Sequence, residues 1–370
     1  VTVVIYPADR YGCGHHRLIW PARELEKLGY DVHVVPQENR KLEFVVDDDD
    51  VVRDVKLADG VEAVVFQRVT HAYLAQAIRL LTQRGVAVIV ELDDDLMSID
   101  PGNPAFRALH PAKGTGGLGH THRSEAQHHS WRNLNEACRH ASLVTATTPA
   151  LIERYAPHGR GRVLPNFLAP HYYGIDHDDS RIIGWPAALP SHPNDPAVVG
   201  PAVARLVSEG ERFHVTSTSP GVGRAFGMTD DSNVEMLRTP VDLLDWPRAL
   251  AERIGVGIAP LADTKFNASK SWLKPLELSA VGIPWIGSPS VEYRRLNDAG
   301  CGMIAKSPQD WYKMIRFILR NDEFRREESE KCRAVARELS IERHAWLWWE
   351  AWQDAIAYAR GTTQKTTVSR

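Results

Sequence analysis

Short apolar runs alternate with amphipathic stretches along most of the chain. Residues 3–6, 32–35, 61–66, 86–90, 143–145 and 162–164 are dominated by Val, Ile, Leu and Ala. Between them lie segments with helical spacing: 17–28, interrupted at Pro21, then 71–84, with Leu74, Ala77, Ile78 and Leu81 on one face, then 125–140 and 149–155. Strands that are apolar throughout and separated by helices predict a parallel sheet covered on both faces. A polar, aperiodic link follows at 169–179. A second round then begins at 181–184, with strands expected at 213–216, 234–237, 256–259, 284–287 and 301–304. Its helices are expected at 197–208, 247–253, 275–281, 308–319 and 322–339. The fold class expected is α/β: two doubly wound, Rossmann-like domains facing a cleft, at 1–175 and 176–340, with ligands at the carboxyl ends of the strands.

The last periodic segment, 341–360, holds Trp346, Trp348, Trp349 and Trp352. Ile341, Ala345, Trp348, Trp352, Ala355, Ile356 and Ala359 share one face. The other face is balanced between Glu342, Glu350 and Asp354 and Arg343 and Arg360, whereas a membrane-surface helix is rich in Lys and Arg. Packing on the protein is therefore expected. The polar stretch 361–370 reads as a disordered tail.

Composition narrows the function classes. Apolar residues make up 43% and charged residues 25%, as in ordinary globular proteins. The net charge is −3, so no global basic field recruits nucleic acid, and any anion site must be built locally. No run of about 18 apolar residues predicts a transmembrane segment. Residues 1–6 read as a strand rather than a signal peptide. The four cysteines form no Cys-x-x-Cys pair, which argues against a zinc ribbon or thioredoxin-type site and suits a reducing cytoplasm. Cys13, between two glycines, reads as a small residue in a tight turn.

The strongest chemical signal lies in 258–284. A strand ends at Pro260, a polar loop follows, and a helix begins near Lys274 and Pro275. A helix N-terminus offers backbone N–H groups and the positive end of a dipole. Lys270 and Lys274 add two ammonium groups, which together make a diphosphate site. Glu277, one turn later, accepts hydrogen bonds from sugar hydroxyls. Three other clusters invite chemistry. Asp93-Asp94-Asp95 follows a buried-type strand and reads as a metal site, a ligand contact or a structural loop. Asp47 to Asp50 reads as a solvated turn. His120 and His122 lie in a Gly- and Pro-rich loop, where they read as surface imidazoles or as metal ligands. Gly12-x-Gly14 after the first strand begins a dinucleotide fingerprint, but Arg17 stands where its third glycine belongs and opposes that reading.

The segment Glu277-Leu278-Ser279-Ala280-Val281-Gly282-Ile283-Pro284 resembles the donor-binding helix of GT-B glycosyltransferases, in particular retaining family 4. The family's paired glutamate falls at Ser269. The series Asn267, Lys270, Ser271, Lys274, Glu277 looks like a subgroup of bacteria and their tailed phages. Gly12-Cys13-Gly14-His15-His16-Arg17, Leu164-Pro165-Asn166 and Ile183-Gly184-Trp185, continued by Ser191, His192 and Asp195, resemble further family segments. The family's Arg and Lys early in the second domain have no counterpart between Gly184 and Arg205. The resemblance implies a UDP- or GDP-sugar donor bound by the second domain and a final helix that returns to the first. It implies catalytic roles for Lys270, Lys274, Glu277 and His120, and donor contacts from Gly12, Gly14, Arg17, His192, Asn267 and Ser271. No metal and no cofactor are expected. The acceptor is unidentified; the phage-like subgroup suits a virion or cell-surface molecule. A weakened homologue that binds a sugar nucleotide or glycan without turnover is the alternative.

Overall fold

Two six-stranded, all-parallel sheets organise the chain. The computed structural model describes residues 1–36, 42–109, 130–177, 180–237 and 241–368. Contacts divide the chain into one unit of Val1–Ile99, Ala105–Asn166 and Ile341–Arg370, and a second of Asp100–Pro104 and Phe167–Ser340.

The first unit contains β1 (Thr2–Tyr6), β2 (Val32–Val34), β3 (Glu43–Val46), β4 (Val52–Lys56), β5 (Val61–Gln67), β6 (Ala87–Leu92), β7 (Leu143–Ala146) and β8 (Gly161–Val163). Its sheet runs β2-β1-β5-β6-β7-β8. All six residues of β6 are buried, which is why its sequence does not alternate. β3 and β4 form a separate antiparallel hairpin that the sequence reading does not anticipate. The acidic run is its turn: Asp47 Oδ1 accepts from the backbone N–H groups of Asp49 (3.0 Å) and Val51 (2.9 Å).

The second unit contains β9 (Ile182–Trp185), β10 (Arg212–Val215), β11 (Val234–Met236), β12 (Val256–Ala259), β13 (Trp285–Gly287) and β14 (Met303–Ile304). Its order is β11-β10-β9-β12-β13-β14, the doubly wound order in which the chain reverses direction between β9 and β12. In doubly wound sheets that reversal marks the ligand crevice, at the carboxyl ends of the two strands.

The C-terminal helices, Ile341–His344 and Trp346–Val368, pack on the first unit. The first helical stretch of the chain explains how one tryptophan is fixed there. Gly12–Gly14, a π-helical turn His15–Ile19 and Trp20–Lys27 form one continuous path. Pro21 has no N–H to offer the carbonyl four residues back, that of Arg17. Trp348 Nε1 donates to that carbonyl at 2.8 Å. Trp348 and Trp352 are fully buried, and the packed stripe reaches Ala359. The backbone stays helical through Val368, past the Gly361 where the sequence reading places a disordered tail; one glycine without a following proline costs a helix only about 1 kcal/mol.

Candidate functional site

The crevice of the second unit is built from the loops after β9 and β12. After β9, the chain makes a 3₁₀ turn at Leu189–Ser191, passes His192 and enters the helix Pro196–Ser208. Asp195 stands at that helix's N-cap but does not cap it. Its carboxylate is 1% exposed and joins the two loops. Asp195 Oδ2 lies 2.9 Å from His192 Nδ1, while Oδ1 accepts from Ala262 N (2.9 Å) and Asn267 Nδ2 (2.6 Å). Burial alone would raise this carboxyl, but the hydrogen bond from His192 and the Lys274 charge hold it below the usual range. Burial and then the Lys274 charge push His192 down to about 4. The imidazole is therefore neutral at pH 7, donates from Nδ1 and presents Nε2 as an acceptor.

After β12, the expected loop contains a one-turn helix, Lys265–Ala268, capped by Thr264 Oγ1 accepting from Asn267 N at 3.1 Å. The next helix is Leu273–Ala280, so Lys270 precedes it and Lys274 lies in its first turn. Lys270 Nζ sits 4.2 Å from the centroid of the Phe266 ring. Lys274 Nζ is buried, donates no hydrogen bond among the described residues, and lies 6.0 Å from the centroid of Trp185, the last residue of β9. Burial pushes this ammonium down to about 8, with Asp195 and Glu277 opposing the shift and Lys270 adding to it. Glu277 Oε1 accepts from Tyr172 OH at 2.6 Å. An ammonium without a hydrogen-bond acceptor among the described residues thus lies within reach of the charges of a second lysine and an oriented carboxylate. The arrangement can hold an oxyanion beside a hydroxyl-bearing group.

No protein-family model matches the sequence, and no curated protein does. Solved structures do match. The catalytic domain of starch synthase IV from Arabidopsis thaliana, bound to ADP and acarbose, aligns with a TM-score of 0.60 at 11% identity, covering 96% of this chain and 99% of that one. Anabaena HepE in complex with UDP and glucose gives 0.55 at 11% identity over 99% of both chains. WaaG, a glycosyltransferase involved in lipopolysaccharide biosynthesis, gives 0.55 at 12% identity over 93% of this chain and 97% of that one. The fold is GT-B.

Against that GT-B frame, the expected site residues fall into two groups. Lys270, Lys274, Glu277, His192, Asn267 and Ser271 all belong to the second unit and cluster around the crevice. Within it, Asn267 is a bracing residue: its amide is spent on Asp195 and on Ala262 O (3.0 Å). Ser271 Oγ accepts from Leu273 N at 3.4 Å, at the start of the helix. Ser269, where the family has a glutamate, turns its hydroxyl back to Phe266 O at 2.8 Å. Gly12, Gly14 and Arg17 belong to the first unit, and two of them have structural work. A Cβ at residue 14 would lie 1.9 Å from Asp9 O, so Gly14 makes room for its own loop. Arg17 is 1% exposed. Its Nε donates to Glu91 Oε1 at 2.7 Å, and a terminal nitrogen donates to Asn166 Oδ1 at 2.9 Å. Arg17 is thus held by a buried ion pair, with its other terminal nitrogen donating no hydrogen bond among the described residues. His120 lies outside the described residues.

The aspartates after β6 are also engaged. Asp93 receives a bidentate fork from Arg68, at 2.7 and 2.6 Å, and Asp95 accepts from Tyr155 OH (2.7 Å) and Arg154 Nε (2.9 Å). Arg68 also reaches Cys13 Sγ at 2.9 Å, and burial raises that thiol well above its ordinary range, so it is no activated nucleophile. Tyr172 is the functional neighbour that sequence reasoning misses: it lies in a 3₁₀ turn, Pro170–Tyr172, of the aperiodic link.

Proposed function

We propose that this protein transfers a sugar from a nucleoside diphosphate sugar to an acceptor, with the donor's diphosphate on Lys274, Lys270 and the N-terminus of the helix Leu273–Ala280. The observation that carries the reading is the buried Lys274 ammonium, without a hydrogen-bond partner among the described residues, at the sheet's switch point. A buried cation with no hydrogen-bond acceptor is costly, and a diphosphate supplies the missing acceptors. Related folds with ADP, or with UDP and glucose, support the donor class. Glu277, aimed by Tyr172, takes a hydroxyl of the sugar or ribose.

The chemistry follows the retaining family-4 pattern. As the anomeric C–O bond breaks, negative charge grows on the leaving phosphate, and the two lysines stabilise it without a metal. The acceptor oxygen bonds to the anomeric carbon on the same face, and its proton passes to the departing phosphate. Preorganised charge of this kind is worth about 10²–10³ in rate per donor group. UDP and GDP are the expected leaving groups, and a cell-surface or virion molecule the acceptor class. Ser269 favours one alternative, binding without turnover, because the carboxylate of the paired motif is absent there. A panel of UDP- and GDP-sugars, assayed by melting temperature and by nucleoside diphosphate release in EDTA, separates the two. Transfer predicts both a shift and release with one donor; a shift without release selects the binding protein. No shift with any donor removes the proposal.

A further inference from the structure

The second unit carries another cationic feature, built from residues unrelated to the crevice. A cavity of about 580 Å³ lies between residues 174–177 and the helix Asp322–Glu338. Arg326, Arg333 and Arg337 line it, at helical positions i, i+7 and i+11, so one helix face presents all three. None of the three makes an ion pair among the described residues. Their neighbour Arg325 shows the contrast: its guanidinium is consumed by Ile318 O, Leu319 O and Asp322.

Arg333 is fixed in place. It donates to Ile175 O at 3.0 Å, and its guanidinium lies across Gly282, where a Cβ would sit 2.3 Å from Arg333 Nε. Gly282 also has a φ of +80° as it ends the donor helix, so the glycine serves both the turn and the guanidinium. Asp176 and Glu330 line the same cavity, which leaves three guanidinium groups against two carboxylates. Planar guanidinium forks match phosphate oxygens, and carboxylates beside them suit the hydroxyls of the group that bears the phosphate.

We propose that this cavity is a second anion site that takes a phosphate or diphosphate ester, independent of the donor crevice. The shared chemistry is the phosphate; its carrier is a free ester or the headgroup of an anionic lipid.

Hydrogen–deuterium exchange of the whole chain tests this, with inorganic pyrophosphate as probe and phosphatidylglycerol vesicles as the second arm. Pyrophosphate is expected to slow exchange at 174–177 and 322–338. The double variant Arg326→Glu, Arg337→Glu is expected to lose that protection and to weaken binding there by about tenfold or more per arginine, while any protection at 260–275 remains. Both replaced residues are exposed, so the fold should tolerate the change; an unchanged melting temperature checks it. Protection by vesicles beyond that by pyrophosphate assigns a lipid headgroup; protection by pyrophosphate alone assigns a free ester. Protection confined to 260–275, none anywhere, or protection at 322–338 that survives the double variant overturns the proposal.

Discussion

Lys274 and Glu277 show two ways of preparing a polar group for a ligand. Among the described residues Lys274 is left without a hydrogen-bond acceptor, while Tyr172 OH donates to Glu277 and helps to orient its carboxylate. Tyr172 is thus a positioning residue. Tyr172→Phe is expected to lower donor kcat/KM by about ten- to a hundredfold, the worth of one hydrogen bond to a charged group. On a Glu277→Gln background it is expected to cost much less, because the oriented charge is already gone. Additive losses in that cycle would refute the coupling. The titration of Lys274 gives a second test. With a pKa near 8 in the empty protein, the ammonium is charged at neutral pH and deprotonated well above 8. Diphosphate binding favours the charged form, so affinity should fall as pH rises past 8 and binding at pH 9 should take up a proton. Calorimetry in two buffers of different ionisation enthalpy measures the uptake; identical enthalpies would sink it. Lys270, Lys274 and Glu277 were legible because one local segment holds them all. Tyr172 was not, since its partner Glu277 lies 105 residues away and it leaves no periodic trace; Asp195 stood out in a family-like segment, but its bond to Asn267, 72 residues away, did not.

Elements with one strong period were equally legible. The parallel strands announced themselves as unbroken apolar runs, and the C-terminal helix by its tryptophan stripe. The hairpin of β3 and β4 escaped because its strands are half-exposed and its turn reads only as a run of acids. The one-turn helix Lys265–Ala268 escaped because four residues carry no period; only Thr264, a capping residue, marks it. The π-helical turn before Pro21 had its cause in the sequence, but Trp348, which takes up the stranded carbonyl, is 331 residues away. That tryptophan joins an aromatic core contact to a backbone repair. Trp348→Ala should therefore destabilise the protein by about 3–5 kcal/mol in a denaturant melt. Trp346→Ala, at a position 45% exposed, should cost well under 1 kcal/mol. Equal losses at both positions would show that the helix is not held by its buried stripe.

At the scale of the whole molecule, the sheet order of the second unit places the β9 and β12 loops together, and the Lys274 ammonium buried beside them has no hydrogen-bond acceptor among the described residues. Such a site lowers the stability of the empty protein. The pKa of Lys274 is depressed from 10.5 to about 8 on folding, so the unfolded chain binds more protons between those values. Stability should then rise with pH across that window, and the charged ammonium is a net cost below it. The most direct test is Lys274→Met, which keeps the apolar stem and removes the charge, measured by unfolding with and without a nucleoside diphosphate. The account predicts that the empty variant is more stable than the wild type by about 1–3 kcal/mol, the cost of an unsatisfied buried group, and that UDP or GDP no longer raises its melting temperature. A variant that is less stable when empty, or that responds to the nucleotide as the wild type does, would contradict it.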